Sequence, residues 1–246
     1  MESITTKLKQ LRLTGMANTL HARNQEACAN QISYEEFLGL LVEDERLARE
    51  QKQYERRYKQ AAFKGHKTLE NYDFKINPKI NQSLIRDLST CRFIREGNPV
   101  IIEGPCGTGK THIAQALGHC ALQSGFEVIC TTQSKLAEKL QTAKALQAYQ
   151  RTLKSLVKTD LLIIDDFGLK PLRTPEDEYL HELVAERAEI KSTLITSNLT
   201  VNEWLQAFPN QLLGVATIDR LKHNAYMLRL DGKSYRTIKE LEGVKS

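Results

Sequence analysis

The eight residues that decide the fold are Gly104-Pro105-Cys106-Gly107-Thr108-Gly109-Lys110-Thr111. They fit the pattern G-x-x-x-x-G-K-[ST], in which glycines let backbone N–H groups turn toward phosphate oxygens. An apolar run at residues 100–102 precedes the stretch and a helical pattern begins near Lys110, so a helix dipole also favours an anion here. We therefore predict a nucleoside triphosphate site, with Lys110 on the β- and γ-phosphates of ATP and Thr111 on Mg²⁺.

Polar side chains follow two further apolar runs of the chain. Asp165 and Asp166 close the run at residues 161–164, and Asn198 follows the run at residues 193–195. Strands of a parallel sheet deliver such residues beside the phosphate loop, so we expect Asp165 to hold Mg²⁺ through water. Asp166 is then the predicted general base, and Asn198 holds the attacking water. The alternatives are a solvated acidic turn and a simple turn initiator.

Composition and charge narrow the class of protein. The 246 residues are 41% hydrophobic with a net charge of +5, a mild basic bias that permits a nucleic-acid partner. The five cysteines are scattered without metal-type spacing, which favours reduced thiols and a cytoplasmic location. The first twenty residues lack the apolar core of a signal peptide, and the run at 161–164 is too short to cross a bilayer, so we expect no membrane association.

The pattern of apolar residues changes near residue 68, which divides the chain into two parts. Before it, apolar residues recur at helical spacing, and Ser33 with Glu36 matches a capping box for a helix reaching about residue 63. After it, apolar runs alternate with helical patterns at residues 79–94, 110–124, 134–154 and 175–190. This alternation predicts an α/β fold, a parallel sheet flanked by helices, at 69–246 behind a small helical domain at 1–68.

Several further motifs occur along the chain in addition to the phosphate loop. They are Ala62-Phe63-Lys64, Thr68 to Phe74 (TLENYDF), the loop with His112, Asp165-Asp166-Phe167-Gly168, Thr196-Ser197-Asn198, Asp219-Arg220-Leu221 and Ser234-Tyr235-Arg236. Together they resemble the IstB family, AAA+ ATPases that help DNA transposition and are encoded beside a transposase in insertion sequences. The resemblance extends more weakly to DnaC-type helicase loaders. Cys106 departs from the family, which usually has proline or another small residue there.

The resemblance implies a function for the whole chain. It implies an AAA+ P-loop NTPase domain that hydrolyses ATP with Mg²⁺, behind an N-terminal domain for DNA binding and oligomerisation. Such a protein assembles with itself on double-stranded DNA, with ATP between subunits, and delivers remodelled target DNA to a cognate transposase. Asn198 corresponds to sensor 1, and Arg220 to an arginine finger acting on a neighbour's nucleotide; the alternative for Arg220 is a surface ion pair. His112 and Arg236 join the eight loop residues as expected ATP contacts.

A basic stretch at residues 46–67 is the candidate DNA contact. Its predicted DNA-binding residues are Arg49, Lys52, Arg56, Arg57, Lys59, Lys64 and Lys67. Taken alone, such a run is more typical of a solvated helix face, but the resemblance to a DNA-binding helper favours contact with the phosphate backbone. Without a base-reading motif, we expect little sequence preference and an affinity that falls steeply with salt.

Two other functions remain open at this point. A replicative helicase loader shares the core motifs and would prefer single-stranded DNA. An ATP-binding scaffold would use the nucleotide as an assembly signal with negligible turnover, and Asp166 would then matter little. The double aspartate and the stretch at residues 62–74 favour the transposition helper.

Overall fold

The computed structural model describes residues 3–75 and 77–232. Contacts divide the chain into two compact units, Met1–Arg57 and Tyr58–Ser246, so this division falls before the domain boundary predicted at residue 68. Among the helices of the described ranges, none has both the length and the apolar character needed to cross a membrane.

The first unit is helical. Its helices are α1 (Ile4–Gln10), α2 (Thr14–Asn30) and the larger part of α3 (Tyr34–Ala61). The predicted start of α3 is confirmed, since Ser33 Oγ accepts the backbone N–H of Glu36 at 3.2 Å. The start of α2 lacks a side-chain cap of its own. The buried carboxylate of Glu45 in α3 instead accepts the backbone N–H of Gly15 at 2.7 Å, which satisfies a donor that a helix end leaves free.

The second unit alternates strands with helices. The strands are β1 (Val100–Glu103), β2 (Val128–Thr132), β3 (Leu161–Phe167), β4 (Ser192–Ser197) and β5 (Tyr226–Arg229). The helices are α4 (Gln82–Ser89), α5 (Arg92–Arg95), α6 (Lys110–Gln123), α7 (Gln133–Ala145), α8 (Tyr149–Lys158), α9 (Glu176–Arg187) and α10 (Gln211–Lys222), with a 3-10 helix at Val201–Ala207. The single helices predicted at 79–94 and 134–154 are each two helices. The left-handed residues Cys91 and Gln147 lie at the two breaks.

The five strands form one sheet in the order β2-β3-β4-β1-β5, and every neighbouring pair is parallel. Side chains of β3 alternate between its two faces, as a strand requires. Leu162 and Ile164 join the apolar cluster formed with α7, α8 and α9, whereas Ile163 approaches Gly118 of α6 on the opposite face. The predicted sheet covered by helices on both faces is thus confirmed. The carboxyl ends of β1, β3 and β4 meet at one edge, which carries the candidate site.

Candidate functional site

The phosphate loop begins at Gly104, directly after β1. Any other residue type at this position would clash with its surroundings. Gly104 has a φ of 151°, and a Cβ on it would lie 2.1 Å from the carbonyl oxygen of Leu230. Its N–H donates to the carbonyl oxygen of Ser197 at 3.2 Å, which ties the loop to the end of β4. Thr108 Oγ1 donates to the carbonyl oxygen of Pro105 at 2.9 Å. These contacts fix the loop between two strands.

The side chain of Lys110 lies against the inside of this loop. Its ammonium donates to the carbonyl oxygens of Gly104 at 2.8 Å and Pro105 at 2.7 Å. The residue is only 6% exposed, and burial lowers the pKa of its ammonium, while the charges of Cys106 and Asp166 act in the opposite direction. Because α6 begins at Lys110, this cation and the N-terminal end of the helix dipole favour an anion at the same place.

A hydroxyl and a carboxylate form the candidate magnesium ligands. Thr111 Oγ1 donates to Asp165 Oδ1 at 2.9 Å, and Thr196 Oγ1 donates to the same oxygen. Asp165 is 6% exposed, so the carboxylate is shielded from solvent. Mg²⁺ prefers oxygen ligands and usually keeps several of its waters. The hydroxyl and the carboxylate therefore suit the predicted metal, with Thr111 as a ligand and Asp165 holding the ion through water.

Asp166 occupies an irregular point of β3 that the sequence did not reveal. The pairing of β3 with β4 shifts register between Ile164 and Phe167, and Asp166 has a left-handed φ of 57°. Its N–H donates to Thr196 Oγ1 at 3.2 Å. A bulge of this kind re-aims side chains at a strand end, and aspartate tolerates the left-handed region better than most residues. As a result Asp165 and Asp166, although adjacent, face different surroundings.

A cavity of about 240 Å³ opens over the loop. It is lined by Lys67, Tyr72, Cys106, Gly107, Gly109, Lys110, Thr111, His112, Asp166 and Asn198. The structure thus brings most predicted nucleotide residues to one surface, including the predicted base and the predicted water-holding amide. Arg236 lies outside the described residues. Two further lining residues lie outside the predicted nucleotide set. The sequence assigns Lys67 to the DNA contacts and predicts no role for Tyr72.

The segment before the sheet packs directly on the loop. Tyr72 Oη donates to the carbonyl oxygen of Thr108 at 3.3 Å, and a Cβ on Gly109 would lie 2.8 Å from the Tyr72 ring. His112 Nε2 bonds to the carbonyl oxygen of Thr68 at 2.8 Å. The residue type at Gly109 is therefore fixed by this close approach as well as by its φ of 94°. The motif TLENYDF could have signalled this contact, but only through the resemblance.

Arg220 lies away from this cavity. It is exposed near the end of α10, donates to the carbonyl oxygen of Ala216 at 3.0 Å, and borders a second cavity of about 290 Å³. That cavity includes Pro99, which precedes β1, whereas Gly104 follows β1. Five residue steps of about 3.3 Å separate the two positions by about 16 Å of strand. The structure therefore does not bring Arg220 to the nucleotide cavity of its own chain.

The predicted DNA-binding residues fall into different surroundings. Lys52, Arg56, Lys59 and Lys64 are exposed, and Arg57 is half-buried. The guanidinium of Arg49 donates to the buried Glu45 at 2.7 Å, which gives that arginine a structural partner. Lys67 alone among them lines the nucleotide cavity. DNA contact by these residues stays a prediction.

Known proteins match this chain along nearly its whole length. The family model described as IstB-like ATP binding protein matches residues 6–243. A Mycobacterium tuberculosis protein named as an ATP-binding protein in an insertion sequence is 34% identical over 235 residues, 95% of this chain and 94% of that protein. The ATP-binding protein named for the insertion sequence IS21 of Pseudomonas aeruginosa is 32% identical, covering 96% of this chain and 89% of its own length.

Solved structures share the fold. The DnaC helicase loader matches with a TM-score of 0.53 and 21% identity over 60% of this chain and 86% of its own. DnaA from Aquifex aeolicus, bound to AMPPCP, matches with a TM-score of 0.60 and 18% identity over 75% of this chain and 57% of its own. These likenesses confirm the predicted AAA+ P-loop fold. Because the family model spans nearly the whole chain and these relatives exceed 30% identity along it, the chain belongs to the family of IstB-like ATP binding proteins.

Proposed function

We propose that the chain is an ATP-hydrolysing helper of DNA transposition. It assembles on duplex DNA, remodels it, and delivers the target to a partner transposase whose activity it stimulates. The observation that carries the proposal is the convergence of Lys110, Thr111, Asp166 and Asn198 on one cavity, with Asp165 hydrogen-bonded to Thr111. The names of the relatives, which place them in insertion sequences, support the link to transposition.

Five side chains in and beside the cavity have distinct roles in the proposed hydrolysis. The loop N–H groups and Lys110 bind the β- and γ-phosphates, while Thr111 and Asp165 hold Mg²⁺. Bound Mg²⁺ neutralises charge on the phosphate oxygens. Asn198, directly after β4, orients the attacking water, and Asp166 takes up its proton. The bulge at Asp166 supports these separate roles, because it turns the proposed base, Asp166, away from the proposed magnesium-holding Asp165.

A second chain completes the site. Arg220 lies at the opposite edge of the sheet from the cavity of its own chain, so it stabilises the transition state at a neighbour's γ-phosphate. An arginine in this role is worth roughly 10³ to 10⁵ in rate. Hydrolysis thus depends on assembly, and assembly places ATP between subunits.

Duplex DNA is bound through the phosphate backbone. Arg49, Lys52 and Arg56 are spaced by three and four residues, so they project from one side of α3. The exposed Lys59 and Lys64 follow in the second unit. Cations in such an arrangement bind with little regard to sequence and lose affinity steeply with salt.

The test is sedimentation of the protein on duplex and on single-stranded DNA of equal length, with ATP, with a non-hydrolysable analogue and without nucleotide. We expect large particles on duplex DNA that require a triphosphate, together with ATP turnover stimulated by duplex. A preference for single strands would favour a helicase loader. Assembly with no measurable turnover would favour the scaffold.

A further inference from the structure

Lys67 differs from the other cations of the basic stretch. It is half-buried and lines the nucleotide cavity together with Lys110 and Asp166. Lys64, three residues earlier, is exposed and lies outside that lining. An ammonium inside a phosphate-binding cavity is poorly placed for the backbone of a DNA duplex, which needs cations on an open surface.

The position of Lys67 is fixed by its neighbours in the chain. The carbonyl oxygen of the next residue, Thr68, bonds to His112 Nε2 at 2.8 Å in the first turn of α6. Four residues further on, Tyr72 bonds to Thr108 of the phosphate loop. The segment is therefore anchored at two points to the elements that bind phosphate, and Lys67 immediately precedes the first anchor.

The residues that line the cavity with Lys67 indicate which part of the nucleotide it faces. They include Asp166 near the end of β3 and Asn198 directly after β4, the proposed base and the proposed water-holding residue. Both roles place these side chains beside the γ-phosphate. Lys67 therefore shares the cavity with the residues expected around the terminal phosphate.

We propose that Lys67 is a nucleotide-binding residue that contacts the γ-phosphate of ATP, not a DNA-binding residue. The inference deepens the proposed function and rests on ATP occupying this cavity. Two lysines of the same chain, Lys110 within the loop and Lys67 from the preceding segment, then face the terminal phosphate. Because ADP lacks this phosphate, Lys67 adds to the affinity for ATP and little to that for ADP.

The experiment compares Lys67→Ala with wild type in equilibrium binding of ATP and of ADP, at matched salt and without DNA. We expect ATP affinity to fall about tenfold, the scale of one lost charge-assisted hydrogen bond, and ADP affinity to change less than about twofold. Lys67→Arg, which keeps the charge, recovers most of the ATP affinity. Lys75→Ala is the matched control, since Lys75 is exposed and outside the cavity.

Duplex binding without nucleotide separates the two roles of Lys67. We expect Lys67→Ala to bind duplex as wild type does. Equal losses for ATP and ADP would overturn the inference, and so would weaker duplex binding with ATP affinity intact. If Lys67→Ala melts at a much lower temperature, Lys67→Gln replaces it in the comparison. With normal melting, a lowered ratio of ATP to ADP affinity in Lys67→Gln supports the role, and a wild-type ratio refutes it. Absent turnover in wild type would remove the proposed hydrolysis and leave the affinity comparison standing.

Discussion

At the scale of single residues, substitutions at Asp166 can separate ATP binding from ATP hydrolysis. Asp166→Asn keeps the size of the side chain and removes the proton acceptor, so we expect ATP affinity to be retained and turnover to fall by about 10² or more. Asp166→Glu keeps the carboxylate and lengthens it by one methylene, and should retain measurable turnover. Steady-state hydrolysis on duplex DNA checks both variants. Unchanged turnover in Asp166→Asn would assign the base to another group.

A short motif fixes the local geometry of the predicted nucleotide residues, so the sequence could indicate where their side chains lie. Lys110 and Thr111 follow the last glycine of the loop directly, so their placement depends on few distant contacts. Asp166 was predicted as a base, but its left-handed backbone depends on how β3 pairs with β4, which local patterns do not reveal. Charge density in the sequence groups Lys67 with the predicted DNA-binding residues, and only the fold shows that this lysine lines a cavity.

At the scale of elements, helix α3 carries a testable surface. We expect Arg56→Glu to weaken duplex binding about tenfold at matched salt and to reduce the salt dependence, because one phosphate contact is lost and a repulsion gained. Arg46→Glu is the matched control, with the same charge change on the same helix. Arg46 is already paired with Glu43 and Glu50, so its guanidinium is less available to a phosphate.

Equal losses for Arg56→Glu and Arg46→Glu would mean that net charge, not the line of cations on α3, governs DNA binding. Fluorescence anisotropy over a salt series distinguishes these outcomes. ATP affinity, measured in parallel, should be unchanged in both variants.

The type and order of the helices and strands in the second unit could be predicted from the sequence. The points at which two predicted helices are interrupted could not. Short apolar runs such as residues 161–164 favour buried strands, so the alternation of such runs with helical patterns predicts the sheet. The helices split where Cys91 and Gln147 take left-handed conformations. Neither residue type signals a break, since glycine and asparagine are the usual residues there. Packing of the shorter helices on the sheet overrides local helix propensity.

At the scale of the whole molecule, the proposed shared site can be tested by mixing inactive chains. Lys110→Ala removes the nucleotide site but keeps the finger, and Arg220→Ala does the reverse. Each alone should be nearly inactive, whereas a 1:1 mixture on duplex DNA should recover up to about a quarter of wild-type turnover, since about that share of head-to-tail contacts pairs two intact halves. The double variant mixed with Arg220→Ala is the control. No recovery would place Arg220 outside the site.

The two ends of strand β1 lie beside different sites. The phosphate loop follows its carboxyl end, and the cavity bordered by Arg220 lies at its amino end. Under the proposed arrangement, an assembly built from such chains has polarity. Its first member presents a cavity without a finger, and its last presents a finger without a cavity. A partner could therefore distinguish one terminus from the other, and growth at the two termini need not proceed at the same rate. The direction of the assembly along the DNA would then follow from the direction of the parallel strands in each chain.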